Sequence, residues 1–137
     1  MVRPEVIRKR LDKLEDYLAI LNGLQRYSFE EFAKDPEKYG AAERFLQLAI
    51  ESIDDMGSHI IADEHLGSIN SRGDIPALLC VRAGLSEALR DCWIRMIGFR
   101  NVLVHNYLDI DRRIVYDALH NRLTDIQALM AYFARFL

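Results

Sequence analysis

The chain has 137 residues; half are apolar, 28% are charged, and the net charge is −3. That balance excludes general disorder and fits one domain, residues 1–137, with one core. No apolar run nears the roughly 18 residues a bilayer span needs, and the charge does not announce a nucleic-acid binder.

Seven glycines and three prolines leave few turns, so long helices are expected rather than many short strands. Pro4 suits a first turn. From there Val6, Leu11, Leu14, Tyr17, Leu18, Leu21 and Leu24 recur at three- and four-residue steps into the mid-twenties. Ser28-Phe-Glu-Glu31 is a capping-box pattern that starts a short helix ending near Lys34. Asp35-Pro36 reads as an N-cap followed by a first-turn proline. The long helix it opens is expected over about 36 to 65, with Phe45, Leu48, Ala49, Ser52, Ile53, Met56, Ile60 and Ile61 facing inward.

Residues 66–74 form the clearest loop, and Asp74 is expected to cap a short helix over 75–82 that Ala83-Gly84 breaks. Ser86 caps the next helix, which carries Leu89, Cys92, Trp93, Met96 and Leu103 on one face and ends around His105–Tyr107. Asp111 caps a last helix over about 112 to 135, striped by Ile114, Val115, Ala118, Leu119, Leu123, Ile126, Leu129, Met130 and Phe133. No segment alternates with period two. The reading is an all-α bundle of four main helices with one or two short ones.

The anomaly lies at Phe-Arg-Asn-Val-Leu-Val-His-Asn-Tyr, 99–107. Arg100 follows Met96 by four residues and Trp93 by seven, so it falls on the apolar stripe and needs a partner or an interface. Asn101 and His105 share a helix edge, Arg100 lies next to Asn101 around the axis, and Tyr107 follows where the helix ends. Together these are parts for phosphate chemistry without a metal. Histidine moves protons near neutral pH, and arginine stabilises charge on phosphoryl oxygens. A buried polar cluster, with Arg100 paired to an acid on a neighbouring helix, is the structural alternative.

Arg100, four residues, His105, one residue, Tyr107 resembles the signature of HEPN domains of the HepT toxin type. The likeness extends to Leu-Gln-Leu-Ala-Ile-Glu-Ser-Ile-Asp-Asp (46–55), Ser-His-Ile (58–60), the Ser-x-x-Glu and Asp-Pro approach to that helix, and Ile-Asp-x-x-x-Val-Tyr (110–116). It covers essentially the whole chain. The resemblance implies an antiparallel HEPN bundle and a two-fold homodimer with Arg100, Asn101 and His105 of both chains lining one cleft. It also implies metal-independent RNA cleavage by 2′-hydroxyl attack. His105 would be the base or acid–base, Arg100 would stabilise the phosphorane, and Asn101 would orient one or the other. It further implies a minimal nucleotidyltransferase antitoxin that transfers AMP to Tyr107. The family's carboxylate falls at Asp54-Asp55; Asp54 is favoured, as a partner for Arg100 rather than a catalyst.

Elsewhere the signals are thinner. Residues 1–81 carry 10 Lys+Arg against 15 Asp+Glu, whereas 82–137 carry 8 against 6, all eight cations being Arg. Arginine forks onto phosphate better than lysine, and any RNA contact must be local. Arg112 and Arg113 sit at a helix N-terminus, where cations are unfavourable; with Arg95 they are the candidate RNA contacts. Asp117-x-x-His120 has metal-ligand spacing, but a solvated helix face accounts for it better and no metal or cofactor is expected. Cys80 and Cys92 form neither a CxxC nor a disulfide framework, and the start lacks a secretory leader's apolar stretch, which suits a cytoplasmic protein. Two function classes stand: a ribonuclease toxin, or a non-catalytic module binding a nucleotide or the nucleotidyltransferase.

Overall fold

The structure, a computed structural model, describes residues 1–106 and 108–137. Seven helices occur among the described residues: α1 (Pro4–Leu24), α2 (Phe29–Lys34), α3 (Pro36–Asp63), α4 (Asp74–Arg82), α5 (Glu87–His105), α6 (Arg112–Asn121) and α7 (Leu123–Ala134). The all-α bundle is as read from the periodicity. Four expected caps form as hydrogen bonds. Ser28 accepts from Glu31 N–H while Glu31 reciprocates, and Asp35, Ser86 and Asp111 accept from Glu37, Leu89 and Arg113 N–H. Each satisfies a first-turn donor that would otherwise be orphaned.

Helix α3 is the axis of the molecule. At 28 residues it is about 42 Å long, and it packs against every other helix. Its buried residues therefore surround it: Ala42, Leu46, Ala49, Ile50, Ile53, Met56, Ile60 and Ile61. Arg3 pairs with Asp63 and Tyr17 packs on Phe45, so α1 runs antiparallel to α3. Likewise Arg100 meets Glu51 and Trp93 meets Asp54, so α5 runs antiparallel to α3 on another side. Gly57 makes that approach possible. A Cβ there would stand 2.5 Å from Ile75 Cγ2 and 2.7 Å from Trp93 Cη2, closer than packed carbons can sit.

Three boundaries differ from the sequence reading. Helix α3 stops at Asp63 instead of 65, because His65 adopts φ 53. Leu66 N–H then returns to Ile61 O and His65 N–H to Ala62 O, which satisfies two terminal carbonyls. Asp74 does not cap α4. It is the first residue of that helix, Gly73 stands at the N-cap, and the Asp74 carboxylate turns back to accept from Asn70 and Ser71 N–H of the loop. The expected last helix breaks at Arg122 (φ −113, ψ −6) into α6 and α7. Arg122 N–H still bonds Ala118 O, and Ile126 N–H bonds Arg122 O, so the apolar stripe turns the corner unbroken. Among the described residues no helix is long and apolar enough to cross a membrane.

Candidate functional site

Helix α5 presents two stripes that matter here. One, Trp93, Ile97 and Arg100, faces α3. The other, Asp91, Ile94, Arg95, Gly98, Asn101, Val102 and His105, is exposed along its whole length. Arg100 and Asn101 are neighbours on the two stripes, so the motif straddles the edge where α5 leaves α3.

Arg100 is nearly buried, its side chain 14% exposed. Its Nε donates to Glu51 Oε2 at 3.0 Å and its Nη2 lies 2.9 Å from the same oxygen. Gln47, one turn back on α3, donates to that oxygen at 3.1 Å. Burial pushes the Glu51 carboxyl up, but the hydrogen bonds from Gln47 and Arg100 outweigh it and hold it below its ordinary value. Arg100 Nη1 turns outward and donates to Asn101 Oδ1 at 3.3 Å. His105 closes α5 and is exposed, one turn beyond Asn101. An anchored cation, an amide and an open imidazole thus follow one another along the edge.

The expected pairing of Asp54 with Arg100 is corrected by this geometry. Asp54 is buried, 2% exposed. Its Oδ1 accepts from Trp93 Nε1 at 2.8 Å and its Oδ2 from Arg72 Nη1 at 2.8 Å. Burial drives its carboxyl above the ordinary aspartate value, against the pull of Trp93 and Arg72. The reason is register. Trp93 and Arg100 lie two turns apart on α5, so in an antiparallel pair they meet different turns of α3. Trp93 takes the later acid, and Arg100 takes the earlier one. Asp55 points elsewhere, to Arg10 at 3.6 Å. Glu51, Gln47 and Arg72 were missed by sequence reasoning. Glu51 lies three residues before Asp54 on the same face of α3, so the spacing offered both acids and did not choose between them.

The other candidates are scattered. Arg95 donates to Cys92 Sγ at 3.3 Å and lines an apolar groove of about 200 Å³ floored by Leu46, Ile50, Met96 and Phe99. Arg112 stacks 4.0 Å over the Tyr39 ring and Arg113 3.8 Å over Phe29, so aromatic faces stabilise the cations at the α6 N-terminus. Among the described residues no hydrogen bond or ion pair joins these three to Arg100, Asn101 or His105. The Asp117–His120 face is less solvated than expected. His120 is half-buried on Tyr116, with its ring nitrogens 2.9 Å and 3.1 Å from the Tyr116 and Gln25 carbonyl oxygens, while Asp117 is exposed. Trp93 is core, as expected, but also a hydrogen-bond donor. Tyr107 lies outside the described residues.

Known proteins resemble this chain in sequence and in fold. An mRNA nuclease HepT of Shewanella oneidensis is 30% identical over 82 residues, 60% of this chain and 62% of that protein, so the match spans less than two thirds of the relative's length. A tRNA nuclease HepT of Aphanizomenon flos-aquae is 28% identical over 118 residues, 86% of this chain and 80% of that one. Among solved structures, a tri-AMPylated Shewanella oneidensis HEPN toxin in complex with MNT antitoxin superposes with a TM-score of 0.87 at 22% identity, covering 95% of this chain and 97% of that one. The family described as ribonuclease HepT-like matches residues 7–133. The chain belongs to the ribonuclease HepT-like family.

Proposed function

We propose that this chain, acting as a single HEPN domain, is the toxin of a toxin–antitoxin pair and a metal-independent endoribonuclease. The observation that carries the reading is the anchored guanidinium. Glu51 fixes Arg100 so that one nitrogen, Nη1, faces the exposed edge beside Asn101, with His105 one turn away. In this reading the ribose 2′-hydroxyl attacks its own 3′-phosphate. His105 takes the hydroxyl proton and returns it to the departing 5′-oxygen, leaving a 2′,3′-cyclic phosphate and a 5′-hydroxyl. Arg100 stabilises the added charge on the phosphorane oxygens, and Asn101 orients the phosphate or the imidazole. The names of the two nuclease relatives support an RNA substrate.

Two copies complete the cleft. The exposed stripe of α5 has Ile94 and Val102, 43% and 41% exposed, on either side of Gly98, whose missing side chain leaves open space. A glycine between apolar neighbours lets a second helix approach closely, and a two-fold contact of this stripe with itself brings both sets of Asn101 and His105 together. Sharing one cleft also doubles the local positive charge there, although each copy is acidic overall.

The neutralising partner in this reading is a nucleotidyltransferase that moves AMP from ATP to the Tyr107 phenol, releasing pyrophosphate. The superposed toxin, AMPylated and bound to its antitoxin, supports it. Mass spectrometry after incubation with a cognate transferase and Mg-ATP locates the adduct, and an adduct on Tyr116 or Tyr132 would reassign it. The nuclease reading is tested by incubating the purified chain with RNA in EDTA. Cleavage by wild type and none by His105→Ala supports it. Binding of nucleotide or transferase without any cleavage would place the chain in the non-catalytic class.

A further inference from the structure

Outside the motif, Arg72 is anchored on an acid of α3 as Arg100 is on Glu51. Glu51 and Asp54 lie one turn apart on α3, about 4.5 Å along the axis. Each holds a guanidinium that comes from a different element: Arg100 from α5, and Arg72 from the segment between α3 and α4. The two ion pairs are mutually close, since the charge of Arg72 reaches Glu51 and that of Arg100 reaches Asp54. Arg72 is fixed although it lies in a loop. Its Nη1 bonds the buried Asp54, which is pinned by the Trp93 indole, and Asp74 ties the loop backbone at Asn70 and Ser71. Yet its side chain is 41% exposed, and among the described residues it makes no other hydrogen bond. It therefore offers oriented donors to solvent from an ion pair with a buried acid, whereas Arg95, Arg112 and Arg113, also exposed, are held only by sulfur or aromatic rings.

We infer that Arg72 is a second phosphate-binding residue, which holds the phosphate next to the scissile one on a single RNA strand. The inference rests on the nuclease reading for the position of the scissile phosphate at Arg100 and His105. The offset of one helical turn between Glu51 and Asp54, plus the reach of two long side chains, suits neighbouring phosphates of one strand. A paired guanidinium still has donors to spare for a phosphate, because it carries five N–H groups in a planar fork. The substrate class that follows is single-stranded RNA with at least one nucleotide beyond the cleaved link.

The test is binding of a fluorescent, uncleavable 2′-O-methyl hexanucleotide, read by anisotropy across a salt series. Arg72→Gln is expected to weaken binding about tenfold at low salt and to flatten the plot of log affinity against log salt by about 0.7, the share of one single-strand phosphate. Arg72→Lys keeps the charge and is expected to keep most of the slope. Because Arg72→Gln strips a partner from a buried carboxylate, the same measurement is made with Asp54→Asn added, where no buried charge is stranded. Circular dichroism checks both folds. A wild-type slope in a folded Arg72→Gln variant overturns the inference, as does failure of the wild type to bind the hexanucleotide. The all-ribose hexanucleotide separates the two readings. An Arg72-dependent slope without cleavage sustains the phosphate contact and removes the nuclease reading. Cleavage with a slope indifferent to Arg72 does the reverse.

Discussion

Glu51 on α3 fixes the Arg100 guanidinium of α5 through one carboxylate oxygen, Oε2, which lies 3.0 Å from Nε and 2.9 Å from Nη2. Two of the three nitrogens are thereby committed to orientation, and the third is left toward Asn101 and the exposed edge. On the nuclease reading, this arrangement makes Glu51 a positioning residue.

Glu51→Gln is expected to keep the fold and lower kcat by about tenfold to a hundredfold, the scale of an ångström of misplacement at a reacting centre. A stability profile against pH separates this from simple structural damage. The Glu51 carboxyl is held below its ordinary value. Its contribution is present above the unfolded glutamate value, about 4.3, and is lost as pH falls through the folded one. The Gln variant should lack that part of the acid loss. An unchanged kcat, or an acid limb identical to wild type, would contradict the assignment.

Asp54 carries the opposite sign. Its carboxyl is raised by burial, so the folded chain binds that proton more tightly than the unfolded one. Stability from this group falls as pH rises from the unfolded aspartate value, about 3.9, through the raised folded value. Asp54→Asn has no proton to lose and still presents an oxygen to the Trp93 indole. Its stability relative to wild type is expected to improve between about pH 3.5 and about pH 6.5. Urea melts at the two pH values check it, and a shift toward wild type at the higher pH would refute it.

How much was legible follows the range of the forces involved. Ser28, Asp35, Ser86 and Asp111 were readable because a cap joins residues two or three apart and leaves a local spelling. The break at Arg122 was not, because hydrogen bonds cross the corner and the spacing of Leu119, Leu123 and Ile126 stays helical. The motif was legible as a string, and its edge position followed from periodicity. The acid that serves Arg100 was not, since Glu51 and Asp54 differ only in how α3 and α5 slide past one another, and no local pattern records that register. Arg72 was unreadable for the same reason, reaching α3 from an irregular segment.

His65 ends α3 in the left-handed region, φ 53, with an exposed side chain. That conformation costs a residue with a Cβ roughly 1 kcal/mol and costs glycine far less. His65→Gly is therefore expected to stabilise the fold by up to about 1 kcal/mol, raising Tm by roughly 3 °C. A lower Tm by calorimetry would show that the imidazole does something the geometry does not reveal.

Gly98 sits centrally on the exposed stripe of α5, with nothing within 4 Å of the place its Cβ would occupy. Gly98→Arg therefore costs the monomer little and blocks the helix contact proposed for the dimer. Sedimentation equilibrium at micromolar concentration should show a species of twice 15.9 kDa for wild type and a folded monomer for the variant. A monomeric wild type, or a variant that remains dimeric, would count against this face.

The most direct test of the nuclease reading uses one altered sugar. After the preferred cleavage link of an RNA has been mapped with the wild-type chain, the ribose on its 5′ side is replaced by 2′-deoxyribose and the products are compared by mass spectrometry. A 2′,3′-cyclic phosphate is expected from the all-ribose strand and no cut at the altered link, with His105→Ala inactive on both. Cutting at the deoxy link, or a wild-type product ending in a 3′-hydroxyl, would contradict 2′-hydroxyl attack at Arg100 and His105.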